Sequence, residues 1–306
     1  HLSPRQDRWV LRRRKLKTAR YADFKNKINI MLPMARPQGI ASLLYKCHLN
    51  SGTGMSRATL KVLTYNIHKG FSATNLRFIL HEIKNLLRHV DADVIFLQEI
   101  HGECNISNNR FDDWPNSRQF EFLADQVWHH YAYGKNVIYK SGHHGNAILS
   151  KYPLIEWENI NVSMLTSASR SLLHGTLQIP GVHQKIHIIC VHLGLFGHER
   201  ERQLLTLAKR INSHVPSNEP LIIAGDFNDW RGRAEHYLNR DLGVEEVFKM
   251  THGAYARTFP AWLPVLSMDR IYYRGFSVIS CNNHLNSIPC RRLSDHIPLF
   301  AEFKLI

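Results

Sequence analysis

No run in these 306 residues is apolar over the roughly 20 positions that a bilayer-spanning helix needs. The best candidate, 28–45, is broken by Pro33, Arg36, Pro37 and Gln38. No clean apolar core follows the basic start, so an N-terminal secretion signal is not expected. Cysteine is scarce: Cys47, Cys104, Cys190, Cys281 and Cys290 are an odd number and include no CxxC pair. That argues against a disulfide framework and a structural zinc module, and for free thiols in a reducing cytoplasm. Acidic residues are also in deficit, 25 against 39 Lys and Arg, for a net charge of +14.

The excess is uneven. Residues 1–54 hold 12 Lys and Arg with only Asp7 and Asp23, a net of +10, which leaves +4 for residues 55–306. A folded part at +4 is a weak electrostatic footprint for nucleic acid. The first segment lacks a sustained helix or strand period and ends in the loop-like Asn50-Ser-Gly-Thr-Gly54. Met55 follows, and an apolar strand pattern begins five residues later. We therefore expect 1–54 to be a basic, disordered or non-native extension, with Met55 the natural start and 55–306 the folded domain. The rival reading of the extension is a targeting arm or one that binds anionic surfaces.

From Leu60 the chain alternates strands and helices. Buried strands are expected at 60–66, 93–98, 147–150, 155–162, 172–179, 186–191, 221–224, 268–273, 277–280 and 297–303. Helices are expected at 76–89, 120–128 and 199–211, the first carrying Leu76, Ile79, Leu80, Ile83, Leu86 and Leu87 at helical spacing. Crossover helices mixed with consecutive strands predict a layered α/β protein with parallel and antiparallel pairs.

Polar residues recur where these strands end or begin: Asn66, Glu99, His192, Asp226 with Asn228, Asp269, and Asp295 with His296. Singly, each reads as a turn, a cap or a satisfied core residue. Together, eight positions at strand ends point to one rim of a sheet, where open α/β folds bind ligands. Four carboxylates brought to one point would repel one another unless a cation joined them, and carboxylate, amide and water oxygens suit Mg²⁺ or Mn²⁺, with Ca²⁺ also compatible. Activated water, charge stabilisation and leaving-group assistance are what phosphoester hydrolysis needs.

Seven short motifs in register carry a family resemblance: Thr64-Tyr-Asn66, Leu97-Gln-Glu99, Gly145-Asn-Ala-Ile-Leu-Ser150, Val191-His192-Leu193, Gly225-Asp-Phe-Asn228, Met268-Asp-Arg-Ile271 and Ser294-Asp-His296. Over about 60–303 the chain resembles the endonuclease/exonuclease/phosphatase family, with its deoxyribonuclease I-like and sphingomyelinase-like branches, and looks like a small bacterial member. The resemblance implies a four-layer α/β/β/α sandwich of two packed mixed sheets. It implies Asn66, Glu99 and Asp295 at the metal, with Glu99 the principal ligand. Asp226 would orient or deprotonate water, and Asn228 would hold phosphate or that water. His192 would donate to a phosphate oxygen, and His296 would act as acid or stabilise charge, oriented by Asp269. His192 stands where the family's apurinic endonucleases carry a Tyr in a Pro-Asn-containing loop, so base-excision repair is not expected.

Arg170 is a candidate phosphate clamp, equally readable as a solvated loop residue. His68 and Lys69 could reach the substrate or be solvated. His143 and His144, facing opposite ways on a strand, are not expected to bind metal together. The segment 199–202 reads as a solvated helix face. The apolar Phe259-Pro-Ala-Trp-Leu-Pro-Val-Leu266 would, if exposed, make a lip suited to acyl chains or base stacking. The expected function is metal-dependent hydrolysis of a phosphodiester in nucleic acid, phospholipid or a small molecule. A phosphomonoesterase and a non-catalytic phosphate-binding module are the rivals. The expected setting is the cytoplasm, with peripheral membrane contact compatible and no obligate protein partner evident.

Overall fold

The computed structural model describes residues 58–73, 77–104, 114–115, 117–139, 142–164, 169–283 and 290–306. The expectations for 1–54 lie outside the described residues.

Two six-stranded mixed sheets form the centre. The first has the order β11 (Phe276–Asn282), β12 (Leu299–Leu305), β1 (Thr59–Asn66), β2 (Val94–Cys104), β4 (Gly142–Ser150), β3 (His130–Tyr139). The second has the order β5 (Leu154–Asn161), β6 (Ser171–Leu177), β7 (Ile186–His192), β8 (Leu221–Asp226), β10 (Asp269–Arg274), β9 (Glu245–Glu246). Each sheet has one parallel pair, β1 with β2 and β7 with β8, and its other pairs are antiparallel.

Alternation along the strands builds the layers. Val62, Phe96, Ile188, Cys190, Ile222 and Ala224 face the space between the sheets and share one core. Their neighbours Leu63, Tyr65, Ile95 and Leu97 face outward onto helices α1 (Leu80–Val90) and α2 (Gln119–Ala124). Ile189, Val191, Leu221 and Ile223 face α3 (Gly197–His214) and α4 (Ala234–Leu242). A strand buried on both faces carries unbroken apolar runs and not an apolar residue at every second position, as Ile188–Val191 of β7 and Leu221–Ala224 of β8 do. The result is the expected helix–sheet–sheet–helix sandwich. Two short helices, α5 (Val247–His252) and α6 (Cys290–Leu293), complete it, and no described helix is long and apolar enough to cross a membrane.

The expectation for 199–202 needs correction. Glu199 and Arg200 are buried, because the first turn of α3 packs beneath the loop after β7. There the Arg200 guanidinium donates to the carbonyls of Gly194 and Leu195 at 3.0 and 2.8 Å, and Gln203 donates to Glu199 at 3.3 Å.

Gly225 sets the approach of the site strands. Its φ is +148°, and a Cβ there would overlap the Val191 carbonyl of β7. Gly225→Ala combines backbone strain with overpacking, each costing about 1–3 kcal/mol. The variant is expected to lose at least about 2 kcal/mol of stability, read as a lower urea midpoint; an unchanged midpoint contradicts this account.

Candidate active site

Parallel pairing of β1 with β2 and of β7 with β8 brings Asn66 beside Gln98 and His192 beside Asp226, so the ends of β1, β7 and β8 meet the middle of β2 at one rim. Antiparallel pairing of β8 with β10 sets Asp269 opposite Asp226. Left-handed backbone marks two of these places: Glu99, φ +56°, lies inside β2 at a register shift between Leu97 and Ile100 and not at the expected strand end, and Asn228, φ +50°, follows β8. Asn tolerates that region and Glu rarely adopts it, so the local fold holds Glu99 against its preference.

Asp226 is the hub. Its Oδ2 accepts from Asn66 Nδ2 at 3.2 Å and lies 3.6 Å from His192 Nε2 and 3.8 Å from His296 Nε2. Its Oδ1 accepts from the Asn228 backbone N–H at 2.9 Å. His296 Nδ1 and Asp269 Oδ2 form a 2.8 Å hydrogen bond, while Asp269 Oδ1 is buried with no hydrogen-bond partner. Asn228 Nδ2 donates to the Leu193 carbonyl at 2.9 Å, which fixes its amide. Ser294 Oγ donates to the Asn66 carbonyl at 2.7 Å and ties the last loop to β1.

These contacts separate the charge states. Burial raises Asp226 to about 7, against the pull of His296, with Asp269 pushing the same way as burial. Burial disfavours the His296 cation, but Asp269 and Asp226 outweigh it and raise the group to about 10. Burial and then the Arg170 charge hold His192 well below the ordinary range, so it is neutral. The site thus pairs a near-neutral carboxyl with a fixed imidazolium.

Glu99 lies within electrostatic range of His192 and meets Lys69 directly. Its Oε2 lies 2.9 Å from Lys69 Nζ. Burial works against its charge, and His192 and Lys69 more than reverse this, leaving the carboxyl well below its usual range. Asp295 Oδ1 faces His68 Nδ1 at 3.7 Å and lies 3.2 Å from Ser294 Oγ. Arg170 Nε donates to the Leu193 carbonyl at 3.3 Å, close enough for its charge to act on His192.

The structure therefore joins Asn66, His192, Asp226, Asn228, Asp269 and His296 through direct contacts, and sets Glu99 and Asp295 in separate contacts with Lys69 and His68. Donor atoms of Asp226, Asp269 and His296 lie within 4.8 Å of one another, and with His296 an imidazolium the two carboxylates are the members of this group able to hold a metal ion. The carboxylates of Glu99 and Asp295 and the Asn66 amide add the hard oxygen donors that Mg²⁺, Mn²⁺ or Ca²⁺ take. The unpartnered Asp269 Oδ1 fits such a role as well.

Sequence reasoning missed His101 and gave Ser294 and His144 no role. His101 and His144 are each lowered to about 4, mainly by burial, and both lie within electrostatic range of Lys69 and Glu99. His143 faces the other way and bonds the Tyr133 hydroxyl at 2.9 Å. Register shifts in the pairing of β2 with β4 decide which residue faces the site, and no local pattern encodes them.

Fold and donor set define a two-sheet sandwich with an acid–imidazole–amide centre at one rim. The profile of the Endonuclease/Exonuclease/phosphatase family matches residues 63–296, and the chain belongs to that family. Its members are phosphoester hydrolases, typically dependent on divalent metal. The chain is 45% identical over 247 residues to the uncharacterized protein YbhP of Escherichia coli (strain K12), covering 81% of this chain and 97% of that one. Its fold is similar to an endonuclease/exonuclease/phosphatase from Beutenbergia cavernae, with a TM-score of 0.67 at 20% identity, covering 81% and 72% of the two chains. It is also similar to D. rerio TDP2 solved with a single-strand DNA product, with a TM-score of 0.62 at 19% identity, covering 81% and 99%.

Proposed function

We propose that this chain hydrolyses phosphodiesters with a bound Mg²⁺ or Mn²⁺. The observation that carries the reading is Asp226, a buried carboxyl raised to about 7 and surrounded by Asn66, His192 and the His296–Asp269 pair. A carboxyl near neutral is matched to taking a proton from water at physiological pH. Glu99, Asn66 and Asp295 would hold the metal, which supplies charge neutralisation on the phosphate oxygens. His192, neutral and buried, donates its remaining N–H to a non-bridging oxygen. The His296 imidazolium, kept charged by Asp269, stabilises the anion that develops as the leaving oxygen departs. Asn228 positions the water or phosphate, and Arg170 adds positive charge beside His192.

The rim favours a substrate with an apolar portion. Leu195, Phe196, Trp230, Trp262, Leu263 and Val265 are exposed on the loops that follow β7 and β8 or precede β10, with Trp262 at 67%. Their base is fixed to the site: Ala261 N–H donates to the Asp295 carbonyl at 2.7 Å, and the Phe259 ring lies 5.0 Å from the His296 ring. Exposed Arg231, Arg233, Arg257, Arg291 and Arg292 lie on the same loops or just before Asp295. Apolar tips with basic neighbours suit an anionic membrane surface. We therefore favour a lipid-borne or small phosphodiester, handled by a cytoplasmic protein in peripheral membrane contact. The second reading is nucleic acid, which the exposed Trp230 and Trp262 rings would favour by stacking bases.

Mn²⁺-dependent turnover of bis-p-nitrophenyl phosphate tests the activity. Chelation is expected to abolish it and Mn²⁺ to restore it, and Glu99→Gln is expected to remove most of it. A rate indifferent to chelation sinks the metal reading, and no turnover on any substrate favours a binding module. A panel of DNA, RNA, phospholipids, inositol phosphates and p-nitrophenyl phosphate separates diester from monoester substrates. Steep loss of binding with salt identifies nucleic acid.

A further inference from the structure

Lys69 sits in a 3-10 turn, His68–Gly70, immediately after β1. His68 and Lys69 have φ of 46° and 59°, two consecutive left-handed residues without glycine's freedom. The turn is pinned from outside: buried Gln119, the first residue of α2, donates to the Lys69 carbonyl and accepts from the His101 backbone N–H, both at 2.9 Å. The Lys69 backbone is therefore fixed, while its side chain is about one-third exposed and meets Glu99 Oε2 at 2.9 Å. Glu99 is itself held in the left-handed region inside β2, at the register shift between Leu97 and Ile100. An ordinary surface pair would not need two strained backbones aimed at one contact.

An ammonium is a compact point charge on a flexible four-carbon stem. Here it stands against the carboxylate that the proposed function assigns to the metal. Two cations cannot share that oxygen closely, since their repulsion would cancel much of what each gains. One rotation of the stem removes the ammonium without moving the backbone.

We propose that Lys69 is the resident counter-ion of Glu99, displaced when a divalent cation binds, and that it thereby sets the metal affinity of the site. The inference rests on the assignment of Glu99 as a metal ligand. Lys69 is a positioning residue: it keeps the carboxylate charged and in place before loading. Its cost is competition with the metal.

Calorimetric titration with Mn²⁺ alone tests this, with no substrate present. Lys69→Met is expected to bind Mn²⁺ at least about tenfold more tightly than wild type, and Lys69→Arg, which keeps the charge, is expected not to gain. Equal or weaker binding by Lys69→Met overturns the role of Lys69 and leaves the metal reading standing. No Mn²⁺ uptake by either protein removes both. A second measurement uses the wild-type chain, in case the variant folds poorly. Acetylation of Lys69, read by mass spectrometry, is expected to quicken when Mn²⁺ is added, because the released ammonium becomes accessible. Unchanged or slower labelling at saturating Mn²⁺ overturns the displacement.

Discussion

Replacing His296 by alanine is expected to lower phosphodiester turnover by about 10²-fold or more, the contribution typical of a positioned acid–base group. The physical reason is the pair it forms with Asp269. The 2.8 Å bond between His296 Nδ1 and Asp269 Oδ2 fixes the ring so that Nε2 faces the Asp226 carboxyl. With Asp269 and Asp226 both attracting its proton, the imidazolium persists to about pH 10. Asp269→Asn keeps the shape and removes one charge, so His296 should lose its proton at lower pH. The alkaline limb of the pH–rate profile should then move down, while His296→Ala removes that limb altogether. Because the two residues act as a unit, the double variant should be little slower than the worse single one. Circular dichroism must show folded protein in each case. Equal rates for wild type and His296→Ala would remove the proposed mechanism.

Stability of the metal-free protein is expected to peak near pH 7 and fall steeply toward pH 4. Four imidazoles resist protonation in the folded chain: His101 and His144 at about 4, His174 at about 3, and His192 well below its usual value. Burial is the first cause for each. For His174, a directional relay adds to it. Arg210 Nε donates to His174 Nδ1 at 3.1 Å, which places the ring proton on Nε2, facing His187 Nδ1 at 3.0 Å. His187 Nε2 then faces Glu219 Oε2 at 2.6 Å. A further proton on His174 would meet the Arg210 N–H head-on. The unfolded chain protonates all four near the ordinary ~6.5. Between pH 6.5 and 4 it therefore binds more protons than the folded chain, and stability falls as pH falls.

Asp226 and Glu246 each oppose this by one proton, since burial raises their folded values to about 7 and about 6, above those of the unfolded chain. Four less two leaves about two, or about 3 kcal/mol per pH unit at the steepest. That is large against total stabilities of about 5–15 kcal/mol. On the alkaline side His296 acts first, and above about pH 9 the buried Cys190 thiol, pushed up to about 12, adds to the loss. The raised value of His296 contributes stability that is complete below ~6.5 and is lost as pH rises toward 10, by about 1.4 kcal/mol per unit. Urea midpoints across pH 4–10 in the presence of a chelator measure both limbs. A midpoint that is flat between pH 7 and 5 contradicts the buried neutral imidazoles.

The strands were legible wherever both faces are buried. Runs such as Leu221-Ile-Ile-Ala224 need no partner to be recognised, and the polar residues at their ends stood out against them. Strand β3 was missed because its outer position in the sheet admits Gly134, Lys135 and Asn136 among its apolar residues. Helices α4 and α5 were missed as well. Helix α1 was placed four residues too early: Leu76 lies outside the described residues, Phe78 bridges to Phe71, and the helix begins only at Leu80.

Sequence alone determined which chemical groups this protein owns and that most of them lie at strand ends, Glu99 inside β2 excepted, because apolar periodicity and strand termination are local properties of the chain. Tertiary structure alone decided which groups touch. Pairing β1 with β12 joins residues more than 200 positions apart, and the facing of the two sheets places Asn66 on Asp226 and leaves Glu99 to Lys69. Contact between distant residues is set by sheet register and by the burial that shifts proton affinities, and neither is written in any one segment.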